Sequence, residues 1–235
     1  MPLSGFGADL TLPTRVPIII IPYSIGLKGE RVVIKIENMV ATTSLGKELD
    51  LQKILIALVG AQYDAARFPG LVYRMKSPKV AMLLFRTGKV VCTGGKNIED
   101  VHTALDLLVK QIAAAGMPVN HKPEIIVQNI VASADLGCVI NLNAVAISLS
   151  LEKVEYEPEQ FPGLVYRLDK PKVVMLIFGS GKVVCTGARK IEDLELAVEQ
   201  ITKELRDAGL ACSGEAQKGS SSPYSPRHLD VDKSR

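Results

Sequence analysis

The 235-residue chain has no tryptophan, and its six Tyr and five Phe make up only 5% of it. Any stacking or wedging chemistry must therefore rest on a handful of rings. It has three His (His102, His121, His228) and four Cys (Cys92, Cys138, Cys185, Cys212), with no Cys-x-x-Cys pair. That spacing argues against a zinc site, any other metal site and a disulfide framework; reduced thiols are the expectation. Near the start, the longest apolar run is Val16–Ile21, which Pro17 interrupts and Pro22 follows. It is too short to cross a bilayer and lacks the charged leader of a signal peptide, so neither a membrane protein nor an exported one is expected. The excess of positive charge is small, +3. This excludes a strongly cationic nucleic-acid coat and leaves room for a basic stripe on one face.

What the chain does have is a duplication. Phe68–Asp100 and Phe161–Asp193 match without a gap at 23 of 33 positions, with FPGLVYR, PKV and GKVVCTG in both. Upstream, Asn38-Met39-Val40-Ala41 pairs with Asn129-Ile130-Val131-Ala132, offset by two residues. Each unit is far longer than a solenoid repeat, so two copies predict a pseudo-twofold molecule. The chain divides into an arm (1–29) that cannot be assigned, two units (30–120 and 121–211), and a Ser/Pro/charge-rich tail (212–235) expected to be disordered.

Within each unit an extended segment (31–40; 124–132) precedes a helical one, marked by Leu51, Ile54, Leu55, Leu58 and by Leu142, Val145, Ala146, Leu149. Three strand candidates follow around 71–76, 79–86 and 89–94, with tight turns at Thr87-Gly88 and Ser180-Gly181. Amphipathic helices close the units through Ile98, Val101, Leu105, Leu108, Ile112 and Ile191, Leu194, Val198, Ile201, Leu205. Asn97 is placed to cap the first of these, and Gly116 and Gly209 to stop them.

Alternate strand residues face opposite ways. Ala81, Leu83 and Phe85 share one face while Val80, Met82 and Leu84 share the other, and both sets are apolar. Two helices per unit cover one face of a half-sheet. No other element of the pattern is left for the second, so that face is an interaction surface, or is buried in an obligate oligomer or under an element the pattern does not reveal.

The NIVA-like, FPGLVYR and SGKVVCTG blocks, in tandem and in this order, resemble the TATA-box-binding proteins over nearly all of residues 30–210. The FPG triplet in both copies points to the archaeal branch. The resemblance implies an α+β, pseudo-twofold saddle: a curved ten-stranded antiparallel sheet with four helices on the convex face. It further implies a general transcription initiation factor, with no enzymatic activity and no cofactor, that binds the minor groove of double-stranded TATA-box promoter DNA. Such a factor recruits transcription factor B directly and RNA polymerase indirectly, and a homodimer is expected when DNA is absent. The location would be the nucleoid-containing cytoplasm of an archaeon, or a nucleus if the source is eukaryotic.

By the same resemblance, Phe68 with Phe85 and Phe161 with Phe178 wedge between base steps, each pair seventeen residues apart. Such a wedge needs a flat apolar plate that replaces stacking, a mode for which this protein type is itself the standing example. Asn38 and Asn129 match the central minor-groove amides, which suit the A·T acceptors there. Thr93 and Thr186 match groove hydroxyls. Val40, Val131, Leu83, Leu176, Val91 and Val184 match the apolar lining. Arg74, Arg167, Lys89, Lys182, Thr87, Ser180, Lys96 and Arg189 match phosphate contacts, which give affinity and register. Glu157 and Glu159, in the loop before the second FPG, match the acidic stirrup that docks transcription factor B. Two departures stand out: Glu37 where the second copy has Gln128, and Ala65-Ala66 in the first stirrup.

Rival chemistry finds little support. Gly179-Ser180-Gly181-Lys182 resembles the end of a phosphate loop, but Val183 stands where Ser or Thr is required. Cys92 and Cys185 lack a repeat-equivalent His to activate them. A half-saddle accessory module is a second rival, against which stand the four Phe and two Asn.

Overall fold

The computed structural model describes residues 27, 31–119, 124–150 and 152–210, together with the backbone of 18–25. The expected disorder of 212–235 falls outside these residues. The element order is β1 (Ile18–Ile25), β2 (Arg31–Ser44), α1 (Leu51–Ala57), β3 (Gly70–Arg74), β4 (Ala81–Phe85), β5 (Lys89–Gly95) and α2 (Ile98–Ala114) in the first half. The second half runs β6 (Ile126–Asp135), α3 (Leu142–Ser148), β7 (Val154–Glu155), β8 (Gly163–Leu168), β9 (Val173–Phe178), β10 (Lys182–Ala188) and α4 (Ile191–Asp207).

All strand pairs are antiparallel, in the order β3-β4-β5-β2-β6-β10-β9-β8-β7. The order mirrors itself about the β2–β6 seam, as duplication demands. There Asn38 pairs with Val131 and Val40 with Asn129. The sheet has ten strands, but the tenth does not complete a five-plus-five set. The counterpart of β7 in the first unit is a single bridge, Gln62 to Val72. Ala61 stands where β7 has the β-branched Val154, which favours extended backbone. The remaining strand is β1, drawn from the unassigned arm and paired with the N-terminal half of β2 (Ile19 with Ile34).

Helix ends follow the expected chemistry. The Asn97 side chain accepts from Asp100 N at 2.6 Å, and Gly116 and Gly209 take φ of 79° and 69° after the long helices. Asp50 and Asn141 cap the short helices in the same way.

The core lies between helices and sheet. Met82, Leu84, Val90 and Cys92 are buried, as are their repeat partners Met175, Ile177, Val183 and Cys185. Against them pack Val101, Leu105, Leu108 and Ile112 of α2 and Leu194, Val198, Ile201 and Leu205 of α4. At roughly 1.5–3 kcal/mol per fully buried aliphatic side chain, this face alone carries the hydrophobic stabilisation. The opposite parity (Ala81, Leu83, Phe85, Val91, Thr93 and repeat equivalents) is only half-buried, and among the described residues no helix covers it. Stability and surface chemistry are thereby assigned to different faces.

Candidate nucleic-acid interface

The uncovered face is ordered by cross-strand register. Val72, Leu83, Val91 and Thr42 form one row across β3, β4, β5 and β2. Val165, Leu176, Val184 and Ser133 form its repeat-equivalent across β8, β9, β10 and β6. Val40 and Val131 complete the apolar lining at the seam.

At each end of this surface two phenylalanines meet edge to face. The Phe68 and Phe85 centroids are 5.8 Å apart and those of Phe161 and Phe178 5.9 Å, both with interplanar angles of 66°. Phe68 and Phe161 are each 37% exposed, unusual for so large an apolar ring. The two are placed alike: Phe68 N donates to Asp64 O and Phe161 N to Glu157 O, both at 2.9 Å. The glycine of each FPG triplet is the seat. A Cβ on Gly70 would lie 2.6 Å from the Phe68 ring, and one on Gly163 2.7 Å from Phe161. The sequence alone gives Gly70 and Gly163 no place among the site residues. Their contribution to the ring pairs was missed, although their pairing opposite Phe85 and Phe178 follows from the hairpin register.

The two asparagines at the seam are held in one orientation. Asn38 Oδ1 accepts from Gly94 N at 2.8 Å, and Asn129 Oδ1 accepts from Gly187 N at 2.7 Å. Gly94 and Gly187 have φ of 96° and 100°, a backbone shape that aims the N–H out of the ladder at a register break. With the oxygen fixed, the Nδ2 donor is left beside the Thr hydroxyl. Asn129 Nδ2 lies 3.2 Å from Thr186 Oγ1, and Asn38 Nδ2 3.4 Å from Thr93 Oγ1. A locked amide presenting its donor suits a partner that offers only acceptors.

Charge is distributed less symmetrically. Lys89 and Lys182 are exposed beside Thr87 and Ser180 at the hairpin turns, and Arg189 is exposed after β10. Arg74 and Arg167 reach the edge, where Arg74 donates to Gln62 Oε1 at 3.3 Å and Arg167 pairs with Glu155 at 3.1 Å. Lys96 is tied instead to Glu37 at 3.2 Å. Glu37 also pairs with Lys35 at 3.0 Å and accepts from Ser133 Oγ at 2.9 Å. These bonds, with Lys35 first and Ser133 next, hold the Glu37 carboxyl at about 2, well below the usual carboxylate range. Gln128 makes the repeat-equivalent bond to Thr42 Oγ1 at 2.8 Å. Glu157 and Glu159 are exposed in the loop before Phe161, where the first unit has an Asp64–Arg67 pair.

Neither free cysteine among the described residues is an activated nucleophile. Burial pushes the Cys92 thiol up to about 11 and that of Cys185 to about 12, the wrong direction for thiolate chemistry. The described residues contain no cluster of three His, Cys, Asp or Glu fit to hold a metal, and none of their helices is long and apolar enough to cross a membrane. One expectation is corrected: Cys138 is held in a disulfide rather than as a reduced thiol.

Comparison with known proteins agrees with this geometry. The family described as transcription factor TFIID (or TATA-binding protein, TBP) matches residues 33–115 and 124–208. The TATA-box-binding protein of Archaeoglobus fulgidus is 58% identical over 177 residues, covering 75% of this chain and 97% of that protein. The corresponding Haloarcula marismortui protein is 57% identical over 75% of this chain and 95% of its own length. The solved structure of Methanococcus jannaschii TBP superposes with a TM-score of 0.70 at 50% identity, covering 74% of this chain and 98% of that one.

Proposed function

The chain belongs to the TATA-binding protein family, DNA-binding transcription factors rather than enzymes, and from that premise we propose how its uncovered face engages promoter DNA. The minor groove of an A·T-rich duplex covers the sheet, and the two Phe pairs enter base steps at the two ends. Unstacking costs a few kcal/mol per step, which the rings offset by replacing stacked bases, so the duplex kinks away from the protein. Asn38 and Asn129 donate to adenine N3 or thymine O2 at the centre, where Thr93 and Thr186 add hydroxyls. A guanine amino group would obstruct the close approach of these amide donors and the apolar lining. The exposed Arg and Lys side chains bind phosphates and set register without reading sequence.

The single observation that carries this reading is the duplicated constellation: an edge-to-face Phe pair seated on Gly at each end, and an oxygen-locked Asn at the seam. A half-saddle accessory module has no use for that whole set. Units 30–120 and 121–211 each meet one half of the site.

Glu157 and Glu159 in the second stirrup form the surface for transcription factor B, through which RNA polymerase is recruited. The first stirrup lacks this acidic pair, which gives a quasi-symmetric grip a direction. Without DNA, a second copy competes for the same face. In the cell the protein resides with promoter DNA, in the nucleoid of an archaeon.

Energy transfer between dyes at the two duplex ends tests the wedge. The protein should shorten the end-to-end distance of a TATA duplex, and Phe178→Ala should restore part of it at saturating protein, the kink at the Phe68–Phe85 end remaining; full bending by that variant would overturn the role. Glu157→Arg should leave the binary shift intact and remove the ternary one with transcription factor B.

A further inference from the structure

The stirrups of the two units, aligned through Phe68 and Phe161, hang on different mounts. In the first, the chain enters through Val59, Gly60 and Ala61. Gly60 takes φ of 85°, and a Cβ there would meet nothing within 4 Å. One bridge, Gln62 to Val72, holds the loop to β3, and Arg74 reaches the Gln62 amide at 3.3 Å. The second unit has Lys153 in place of Gly60 and Glu155 in place of Gln62. There β7 pairs with β8 through Val154 and Glu155, Arg167 N donates to Lys153 O at 2.9 Å, and the Arg167 side chain pairs with Glu155.

On the helix side of the sheet this mount continues into α4. Tyr166, fully buried in β8, donates from its hydroxyl to Glu204 Oε2 at 2.5 Å. Gln200 donates to Glu204 Oε1 at 3.0 Å, and the Lys153 ammonium lies 4.0 Å from the same oxygen. The first unit has Gly60, Leu107 and Gln111 at the positions of Lys153, Gln200 and Glu204, with neither the acid nor the amine. A partly exposed ion pair at 4.0 Å holds little by itself. The bond from Tyr166 is the stronger link, because its acceptor is charged and breaking it leaves a buried hydroxyl unsatisfied. Burial first and Glu204 next push the Tyr166 phenol above its ordinary range, so it stays a donor.

We infer that Glu204 is a positioning residue for the second stirrup. It joins Tyr166 to Lys153 and so fastens the chain entering that loop to α4, while the first stirrup, entered through Gly60, has no such fastening. The inference rests on the reading of Glu157 and Glu159 as a partner surface and adds how that surface is kept in one shape. A loop ordered before its partner arrives has met its entropy cost in folding. The acidic pair therefore binds a basic protein surface more tightly than an unordered loop of the same charge would. The two ends of the molecule then differ in stiffness as well as in charge.

Amide exchange on the full chain tests the mount. Gln160 N and Phe161 N, both bonded to Glu157 O, report the second stirrup, and Arg67 N and Phe68 N, both bonded to Asp64 O, report the first. Glu204→Ala should speed exchange at Gln160 and Phe161 by roughly tenfold and leave Arg67 and Phe68 unchanged. Glu204→Gln, which keeps an oxygen for Tyr166, should recover most of the protection. On a preformed protein–DNA complex, Glu204→Ala should weaken binding of transcription factor B by about three- to tenfold, against complete loss with Glu157→Arg. Unchanged exchange in the second stirrup, equal acceleration in both, no rescue by Gln, or undiminished partner affinity despite faster exchange would each overturn the inference. Partner binding that survives Glu157→Arg would instead strike the reading of the stirrup itself, and the exchange contrast would still stand or fall on its own.

Discussion

The first and second units share a backbone and differ in charge, and the division falls along a physical line. Features fixed by main-chain geometry are duplicated almost to the tenth of an ångström: the ring separations of 5.8 and 5.9 Å and the Asn bonds of 2.8 and 2.7 Å. Features carried by exposed side chains have drifted apart. Glu37, bound by Lys35, Lys96 and Ser133, faces a neutral Gln128–Thr42 pair across the seam. Arg67 in the first stirrup faces Gln160 in the second, and Lys47 faces a disulfide-bonded Cys138. Shape is held twice because each half of a bent duplex must be met in the same way. Charge is free to differ, and differing charge is what lets a pseudo-symmetric protein have a front and a back.

The sharpest way to break the comparison is at the glycine seats. Gly163→Val and Gly70→Val should each displace the adjacent ring and weaken DNA binding by about 3 kcal/mol, since the wedge and its packing are lost together. Titration at fixed salt measures this, and strongly unequal losses would mean the two ends do not act alike. Next come Asn129→Asp and Asn38→Asp, which swap a locked donor for a carboxylate at the seam. Each should cost about 1–3 kcal/mol in affinity for A·T-rich duplex, with equal effects expected from equal geometry.

Smaller effects belong to the cations. Lys182→Ala and Lys89→Ala should each reduce the slope of log affinity against log salt by about 1. Lys96→Ala should change it less, because Glu37 already neutralises that amine. Smallest is Glu37→Gln. Its carboxyl is held at about 2 in the fold, against 4.5 ordinarily. The stabilisation from a depressed carboxylate is complete above the unfolded value and disappears as pH falls through the folded one. Denaturation curves should therefore separate wild type from Glu37→Gln above pH 4.5 and converge toward pH 2. A difference that grew on acidification would contradict the Lys35–Ser133–Lys96 arrangement.

Much of this was legible in the residues. Helical periodicity at Ile98, Val101, Leu105 and Leu108 placed α2, because a covered face leaves a 3.6-residue imprint. The alternation Met82–Leu83–Leu84–Phe85 gave both the strand and its two apolar faces. Less legible was β1: with Pro17 and Pro22 in and beside its apolar run the sequence leaves the arm unassigned, and an edge position is where a strand tolerates proline. The ladder indeed breaks register between Ile20 and Ile25. The seats at Gly70 and Gly163 and the amide locks at Gly94 and Gly187 depend on contacts between residues far apart along the chain, which periodicity does not encode. The ion pairs of Glu37 and the bonded state of Cys138 were hidden for the same reason.

The central claim concerns which groove covers the sheet, and inosine decides it. An I·C pair presents the minor groove of A·T, without the guanine amino group, and the major groove of G·C. In a salt-controlled shift assay, a TATA site rewritten in I·C pairs should bind close to the native site, and the G·C version should bind only non-specifically. If the I·C duplex behaves like G·C instead, the protein reads the major groove and the account of the uncovered face is wrong.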